Sequence, residues 1–542
     1  MTSDGQSTSA RQSRRYAEVA PSQHRAASEE VKELLPIHEV QEFRVDLERI
    51  RFSPYFTRLA SVTQVVPQSG VGPVMHNRLT HSLKVSSVAR VIAANLAARQ
   101  AHHQAFVRGE LPDDDRVGAV VERLGGCDTI VAQAAAHAHD MGHPPFGHLG
   151  ERALDRVARE RLGLPEGFEG NAQTLRIMTR LDTLGREFPG LNLTAAVRAS
   201  VLKYPWTRAG WREGLTDNDL AQGLPRGVGD DAEHGAAKFS SYVLEAEEME
   251  SLRAVFPRIR PGMQTLECAV MDVSDDIAYA IHDLDEFTRA GVLQHAAVVG
   301  ELDGWLGGFG ALSKRPIEEL EAGWRDNGVS LELLWRRLQR KDSWIADREV
   351  FVDVVADIRR DLGDELLARP YDGGIDSERQ VSQFTRHWIE RLRTAVVIDA
   401  TPHIRSGHVR LEQRAWHEVA VLKFIHARFV LDNPDLAQSQ RGQAHVVEGL
   451  VLGFDAWLTD RDDVDRAPRR LLEWVDETTE SLLALQQRRP DLVDAELPAA
   501  ALVRQGRARA VLDYVASLTD QQALSTYRAL HEGAGGTGLR QI

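Results

Sequence analysis

The chain has 542 residues, of which 43% are hydrophobic and 27% charged, and its net charge is −15 at pH 7. This is the composition of an ordinary globular protein, and the negative charge disfavours extensive binding of nucleic acids. There is no run of about 18 apolar residues, so we expect no membrane span. Cys127 and Cys268 are the only cysteines, too few for a disulfide scaffold or a thiolate zinc site. We therefore expect a cytoplasmic protein.

The first predicted segment is a disordered tail over residues 1–30, which contain few large apolar side chains. Apolar residues at helical spacing then predict a long helix over 79–96, with His81 in its first turns. An alanine-rich run up to Ala138 predicts a buried helix. The glycine and prolines of 142–145 end that helix and open a loop.

The second half of the chain also favours helices. An apolar stripe predicts a helix over 266–287, and similar spacing predicts one over 416–425. Helical periodicity returns between 471 and 530, whereas alternating strand patterns are few. The sequence therefore predicts an all-α fold.

Two imidazoles and two carboxylates are candidates for one metal site: His81, His139, Asp140 and Asp275. Asp275 lies on an otherwise apolar helix face, where a buried carboxylate needs a cation or hydrogen bonds. Any one of these residues can equally be a helix cap or a salt-bridge partner. Together they suit Mn²⁺, Fe²⁺, Co²⁺, Ni²⁺ or Zn²⁺, or Mg²⁺ with waters in the remaining positions.

Two further histidines lie in or just after the loop that opens at residues 142–145. With His143 and His148 there would be too many imidazoles for one ion, so we interpret these two as groups around the metal ligands or as proton-transfer groups. Glu151 lies three residues after His148, and in a helix the two side chains would share a face and hydrogen-bond. An ordinary surface pair is the alternative interpretation of these two residues.

At this point the chain resembles a known family, the HD-domain dNTP triphosphohydrolases, in its bacterial dGTPase and dGTPase-like branch. The resemblance covers about residues 44–290. It rests on the segments 58–64, 76–82, 138–148, 168–176, 203–206, 238–239 and 274–279, which match in order.

The resemblance implies an HD-domain helical core over 44–290. A helical remainder over 291–542 would complete that core and supply oligomer contacts. It also implies hydrolysis of a deoxynucleoside triphosphate to deoxynucleoside and inorganic triphosphate. The cofactor would be a divalent metal ion, with Mg²⁺ or Mn²⁺ favoured, and the assembly a homo-oligomer.

Residue roles follow from the matching motifs. By resemblance His81, His139, Asp140 and Asp275 are metal ligands, while His148 and Glu151 form the catalytic pair and His143 contacts phosphate. His148 would act as either general base or general acid. Arg78 would hold a phosphate. Gln64 and Asp283 would bind the 3′-hydroxyl, and Tyr279 would fill the space of a 2′-hydroxyl.

Two alternatives remain. One is an HD phosphohydrolase that acts on another nucleotide phosphoester, which the sugar-binding set argues against. The other is a low-turnover regulatory protein that binds nucleotides or single-stranded DNA, which the intact ligand set and acidic charge disfavour. The preferred base and any activating nucleotide do not follow from the matched segments.

Overall fold

The computed structural model describes residues 10–16, 38–64, 77–185 and 187–532. Of the predicted disordered tail, residues 1–9 and 17–30 lie outside the described residues, as does His76 of the matched segment 76–82. Residues 10–16 of the predicted tail contact the folded body through arginines. Arg11 pairs with the buried Glu267, and Arg14 with Asp46 at 2.7 Å.

Helices account for 66% of the protein, which confirms the all-α class. Within the described ranges the strands β1 (Val396–Ile398) and β2 (Val409–Leu411) form a short antiparallel pair. The same ranges contain no helix that is long and apolar enough to cross a membrane. In chain order the α-helices are α1 (His38–Phe52), α2 (Pro54–Arg58), α3 (Arg78–Val107), α4 (Arg116–Arg123), α5 (Thr129–Ala138), α6 (His148–Glu160), α7 (Gly170–Arg176), α8 (Ala195–Ala199), α9 (Asp217–Ala221), α10 (Ala246–Val255), α11 (Leu266–Arg289), α12 (His295–Leu312), α13 (Ile317–Ala322), α14 (Val329–Lys341), α15 (Arg348–Arg359), α16 (Ile375–Thr394), α17 (Gln413–His426), α18 (Pro434–Thr459), α19 (Arg469–Arg488), α20 (Ala499–Ala516) and α21 (Asp520–His531).

Side-chain caps fix where the helices of the site begin. Asn77 and Thr80 form a reciprocal capping box at α3, with hydrogen bonds of 3.0 and 3.1 Å. Asp128 caps α5 and Thr265 caps α11 by accepting hydrogen bonds from backbone N–H groups. The start of α3 is thus set locally, and His81 lies in its first turns as predicted.

Two apolar cores meet at α5. One is built mainly from α3, α11, α12 and α14 to α17, the other from α1, α6 to α8, α10 and α18 to α21. The small alanine side chains allow close packing on both sides of this helix. Ala132, Ala135 and Ala136 face the first core, and Val131, Ala134 and Ala138 face the second. The loop after α5 therefore begins at the junction of the two cores.

The C-terminal helices return to the N-terminal half of the chain. Helix α18 packs against α6, and α20 also contacts α6. The predicted domain limits, 44–290 and 291–542, stay a prediction.

Candidate functional site

Four side chains from three parts of the fold meet in a cluster. His81 is on α3, His139 and Asp140 follow the end of α5, and Asp275 is on α11. His81 Nε2 lies 3.0 Å from Asp275 Oδ1. His139 Nε2 lies 3.7 Å from that oxygen and 3.4 Å from Asp140 Oδ1. The fold thus brings together the four residues that the sequence predicted as metal ligands.

The donor set of this cluster fits a divalent metal. His139 Nδ1 donates to the carbonyl oxygen of Ala136 at 2.8 Å, which leaves the lone pair on Nε2. That Nε2 atom is buried and makes no hydrogen bond to the described part of the chain. An imidazole oriented in this way beside carboxylate oxygens is the usual surrounding of a transition-metal ion.

The carboxylates of the cluster are ionised. Burial opposes ionisation of Asp140, but neighbouring positive charge, including that of Arg78, outweighs it and holds the pKa of this carboxyl well below its ordinary value. Burial likewise opposes ionisation of Asp275, and here the charge of Lys203 holds the pKa well below its ordinary value. Two anionic groups therefore face the imidazoles, as binding of a cation requires.

Lys203 supports the cluster from behind. Its Nζ atom donates to Asp275 Oδ2 at 3.0 Å and lies 2.8 Å from Asp272 Oδ1. This hydrogen bond fixes Oδ2 of Asp275, while Oδ1 faces His81. Sequence reasoning gave Lys203 no role, although it lies in a segment that carried the resemblance.

Arg78 presents unpaired donors beside the cluster. Its Nη1 donates to Asp140 Oδ2 at 2.8 Å, whereas Nε and Nη2 are buried without a partner among the described residues. A Cβ atom added at Gly147 would lie 2.6 Å from Nη2, so glycine leaves space for the guanidinium. Buried guanidinium donors without acceptors are costly unless an anion binds them.

A second polar group lies at the start of α6. His148 Nδ1 is 2.9 Å from Glu151 Oε2 and 3.3 Å from His143 Nε2. The side chain of His148 is 55% exposed, whereas Glu151 is buried. Burial and the charge of Arg78 lower the pKa of His143 to about 4, so this ring is neutral at pH 7. The predicted catalytic pair is therefore in contact, with its histidine accessible to solvent.

Lys238 holds the carboxylate of this pair. Its Nζ donates to Glu151 Oε1 at 2.6 Å. Burial opposes ionisation of Glu151, but Lys238 and the hydrogen bond from His148 hold the pKa well below its ordinary value. Glu151 is thus a fixed anion that accepts the Nδ1–H of His148, and the second ring nitrogen is available for proton exchange. Sequence reasoning gave Lys238 no role either.

The predicted sugar-binding residues lie on α11 and beside the start of α3. Tyr279 and Asp283 follow Asp275 by one and two helical turns. An isolated bridge between Thr63 and Asn77 sets the adjacent Gln64 near the first residues of α3. Gln64 Oε1 and Asp283 Oδ2 are buried and have no hydrogen-bond partner within the described ranges. Unsatisfied buried acceptors of this kind await a donor from a ligand.

His426 joins this group from α17. Its ring is 4.9 Å from that of Tyr279, and its Nδ1 is 3.5 Å from Asp283 Oδ2. Burial, with the charge of Lys423, lowers the pKa of His426 to about 4. Neither ring nitrogen makes a hydrogen bond within the described chain. No signal in the sequence distinguished this histidine from an ordinary core residue.

A cavity of about 1110 Å³ opens beside Tyr279. Its walls combine aromatic rings with cationic and acidic side chains. Three buried donors there lack acceptors among the described residues: Trp344 Nε1, Arg410 Nε and Arg428 Nε. Such a lining suits a planar ring that carries acceptor atoms. The lining includes Arg226, Trp324, Trp344, Arg410, Lys423 and Arg428.

Known proteins match the chain in the same regions. A family model described as HD domain matches residues 78–180, and one described as phosphohydrolase-associated domain matches 458–529. A deoxyguanosinetriphosphate triphosphohydrolase-like protein of Corynebacterium glutamicum (strain R) is 35% identical, over 81% of this chain and 89% of its own length. The chain belongs to this family.

Other deoxyguanosinetriphosphate triphosphohydrolase-like proteins match over a larger share of the chain. That of Streptomyces coelicolor is 29% identical over 90% of this chain and 92% of its own length. The second such protein of Mesorhizobium japonicum is 28% identical over 92% and 95%. The predicted resemblance is confirmed.

Family membership fixes the general chemistry. The HD domain is a metal-dependent phosphohydrolase domain, and its match contains His81, His139 and Asp140. Asp275 lies beyond that match. The chain is therefore a phosphohydrolase with a histidine–aspartate cluster that can hold a metal ion.

Proposed function

We propose that the protein is a metal-dependent dNTP triphosphohydrolase, which cleaves a deoxynucleoside triphosphate to deoxynucleoside and inorganic triphosphate. The observation that carries this proposal is a set of unpaired polar atoms on the cluster and on the residues predicted to bind phosphate and sugar. These atoms, on His139, Arg78, Gln64 and Asp283, are buried and lack hydrogen-bond partners in the part of the chain that the structure describes. A metal, a phosphate chain and a sugar hydroxyl are the groups that would satisfy them in turn.

His81, His139, Asp140 and Asp275 would hold the metal. A bound divalent ion supplies Lewis-acid polarisation of a phosphate oxygen. Lys203 keeps one oxygen of Asp275 fixed, so the ligand geometry does not depend on the substrate. Mg²⁺ and Mn²⁺ are the favoured ions, with Fe²⁺, Co²⁺, Ni²⁺ and Zn²⁺ as alternatives.

Arg78 and His143 would contact the phosphates. In the proposed reaction a water oxygen bonds to the α-phosphorus, and the bond from that phosphorus to the 5′-oxygen breaks. The two unpaired donors of Arg78 stabilise negative charge on the phosphate oxygens as it develops. His143 is neutral near pH 7, so it can donate a hydrogen bond without adding a second positive charge.

His148 would move the proton in this reaction. Its exposed ring either takes a proton from the attacking water or gives one to the departing 5′-oxygen. Glu151, an anion held by Lys238, stabilises the imidazolium form of His148 in either case.

The sugar would lie against α11. Tyr279 would occupy the space of a 2′-hydroxyl, while Gln64 and Asp283 would bind the 3′-hydroxyl. Burial and the charge of Glu286 raise the pKa of Asp283 well above its ordinary value, so the protonated acid can donate as well as accept. The cavity beside Tyr279 would then receive the base, dGTP being one candidate substrate.

The test is a panel of the four dNTPs and four rNTPs with Mn²⁺ or Mg²⁺, with product identification by ion chromatography. We expect triphosphate from one or more dNTPs and none from rNTPs. His148→Ala is expected to abolish release, whereas replacing the exposed His295 is expected to have no effect. Pyrophosphate or orthophosphate as the first product would contradict the assignment. Turnover of nucleoside monophosphates alone would favour the other HD phosphohydrolase activity.

Partners are tested separately. The homo-oligomer is measured by size-exclusion chromatography with light scattering. Single-stranded DNA is the less favoured partner, because the chain has a net charge of −15. DNA binding that persists in His139→Ala, in a protein without triphosphate release, would favour the regulatory alternative.

A further inference from the structure

The carboxylate of Asp520 joins two separate parts of the site. Asp520 is the first residue of α21, near the C-terminal end of the described chain. Its Oδ2 atom accepts hydrogen bonds from Thr63 N at 3.0 Å and Thr63 Oγ1 at 2.5 Å. Its Oδ1 atom accepts from Phe146 N at 2.8 Å. One side chain thus binds the segment that precedes α3 and the loop that follows α5.

The loop that Asp520 contacts through Phe146 carries two histidines of the site. Phe146 lies between His143 and His148, and its φ of 63° is in the left-handed region, as is the φ of 60° at Gly147. A phenylalanine in that region costs about 1 kcal/mol or more and persists only where its surroundings hold it. The bond from Phe146 N to Asp520 is such a restraint. The geometry of this turn sets the distance between the two imidazoles.

The segment that Asp520 contacts through Thr63 carries a residue proposed to bind the sugar. Thr63 pairs with Asn77 next to the first turn of α3, and Gln64 is the following residue. A Cβ atom added at Gly147 would lie 3.1 Å from the carbonyl oxygen of Thr63, so the two segments are also in direct contact. Asp520 therefore hydrogen-bonds to both of the segments that meet at this contact.

Arg58 makes a parallel connection nearby. Its Nη1 donates to the carbonyl oxygen of Leu518 at 2.8 Å, and its Nη2 donates to the carbonyl oxygen of His143 at 2.6 Å. The turn between α20 and α21 is thus tied to the loop twice, at His143 and at Phe146.

Helix capping does not account for Asp520. Thr519 caps α21, since its side chain accepts from Gln522 N at 3.2 Å and the Gln522 side chain accepts from Thr519 N at 2.9 Å. The Asp520 carboxylate is directed to Thr63 and Phe146 instead. Its presence at the first helical position adds a small favourable interaction with the helix dipole.

We propose that Asp520 is a positioning residue that holds the His143–His148 loop against the segment bearing Gln64. This inference rests on the proposed function for its effect on catalysis. It gives the C-terminal phosphohydrolase-associated region a direct part in the geometry of the site. The acidic side chain is required because a single group must accept from two backbone N–H groups and one hydroxyl at once.

The experiment compares Asp520→Ala and Asp520→Asn with Thr519→Ala. We expect kcat for triphosphate release to fall about 100-fold in Asp520→Ala and about tenfold in Asp520→Asn, which keeps one acceptor oxygen, with KM changed less than about threefold. Thr519→Ala removes the cap but keeps the carboxylate, so its kcat should stay within about twofold of the wild type. Circular dichroism and thermal unfolding report whether each variant folds.

Hydrogen exchange in the full-length protein provides a second measurement that does not need catalysis. Peptides covering residues 142–150 and 60–64 should exchange faster in Asp520→Ala than in Thr519→Ala, with α19 protected equally in both. Equal kcat losses in the Asp520→Ala and Thr519→Ala variants would overturn the proposal, and so would unchanged exchange of the loop in Asp520→Ala. If the wild type releases no triphosphate from any dNTP, the proposed function fails, and the exchange comparison still decides the role of Asp520.

Discussion

At the scale of single residues, two adjacent aspartates illustrate how the fold assigns chemistry. Asp275 faces His81 and Lys203, whereas Asp276 pairs with Lys423 and lies 3.5 Å from Arg226. Successive residues of an α-helix point about 100° apart, so only one of the two can face the histidine cluster. The substitutions Asp275→Asn and Asp276→Asn are therefore a matched pair.

We predict that Asp275→Asn reduces divalent-metal affinity by about 100-fold or more and abolishes triphosphate release, because the neutral amide is a weaker ligand. Asp276→Asn should change metal affinity by less than about threefold. Isothermal titration with Mn²⁺ and product analysis measure both effects. Equal losses of affinity in the two variants would show that the cluster is misassigned.

His137 gives a prediction about pH. Its ring lies 5.2 Å from that of Phe56, and burial, with smaller effects of Arg51 and His139, lowers its pKa to about 4. The unfolded chain binds a proton near pH 6.5 that the folded chain excludes. The contribution of neutral His137 to the free energy of unfolding is therefore complete above about pH 6.5. It is lost as pH falls through about 4.

We predict that His137→Gln reduces the loss of unfolding free energy between pH 7 and pH 4 by up to about 3 kcal/mol. Denaturant unfolding at both pH values measures it. His295→Gln, at an exposed position on α12, is the control and should leave the pH dependence as in the wild type. A wild-type pH dependence in His137→Gln would mean that His137 is protonated in the folded state.

At the scale of elements, the loop from α5 to α6 packs closely on α7. Gly142 N donates to Thr174 Oγ1 at 3.0 Å, and a Cβ atom at Gly142 would lie 2.1 Å from the carbonyl oxygen of Gly170. Both groups belong to α7, and a shift of this backbone would disrupt the helix. Glycine at this position thus permits the contact that orients His139 and His143.

We predict that Gly142→Ala lowers the free energy of unfolding by about 2–3 kcal/mol and reduces kcat, because the backbone of α7 must shift. Gly307→Ala, in open space on α12, should instead raise the free energy of unfolding by up to about 1 kcal/mol through helix propensity. Urea unfolding of both variants provides the comparison. If Gly142→Ala is as stable as the wild type, the close contact with α7 is wrong.

At the scale of the whole molecule, a buried ionic network joins distant parts of the chain. Arg176 at the end of α7 donates to Asp513 on α20 and to Glu245, each at 2.8 Å, and to Thr478 on α19 at 3.2 Å. These groups are buried, so each charge depends on its partners. The HD region and the C-terminal helices are therefore expected to unfold together.

We predict that Asp513→Ala lowers the free energy of unfolding by about 3–5 kcal/mol, because it leaves the Arg176 guanidinium buried without this partner. The double variant with Arg176→Met and Asp513→Leu, which removes both charges, should be more stable than Asp513→Ala. Chemical unfolding followed by circular dichroism and by tryptophan fluorescence measures stability and cooperativity. Two separate transitions in the wild type would contradict the coupling of the regions.

Much of the architecture could be predicted from local sequence. Apolar spacing and capping residues lie within short windows, so the all-α class and the helices bearing His81 and Asp275 followed from them. Local sequence gives no sign of the ion pairs that Arg11 and Arg14 make with Glu267 and Asp46. Composition alone carries no information about such partners.

The sequence by itself determined the class of fold and the family, and it predicted which residues would bind a metal or move a proton. The tertiary structure alone decided which groups support them. Lys203, Lys238 and Asp520 lie 72, 87 and 457 residues from the partners they hold, Asp275, Glu151 and Thr63. Ordinary lysines and aspartates have no distinguishing local pattern. Their roles arise from burial beside an opposite charge or a backbone donor, which exists once the chain has folded.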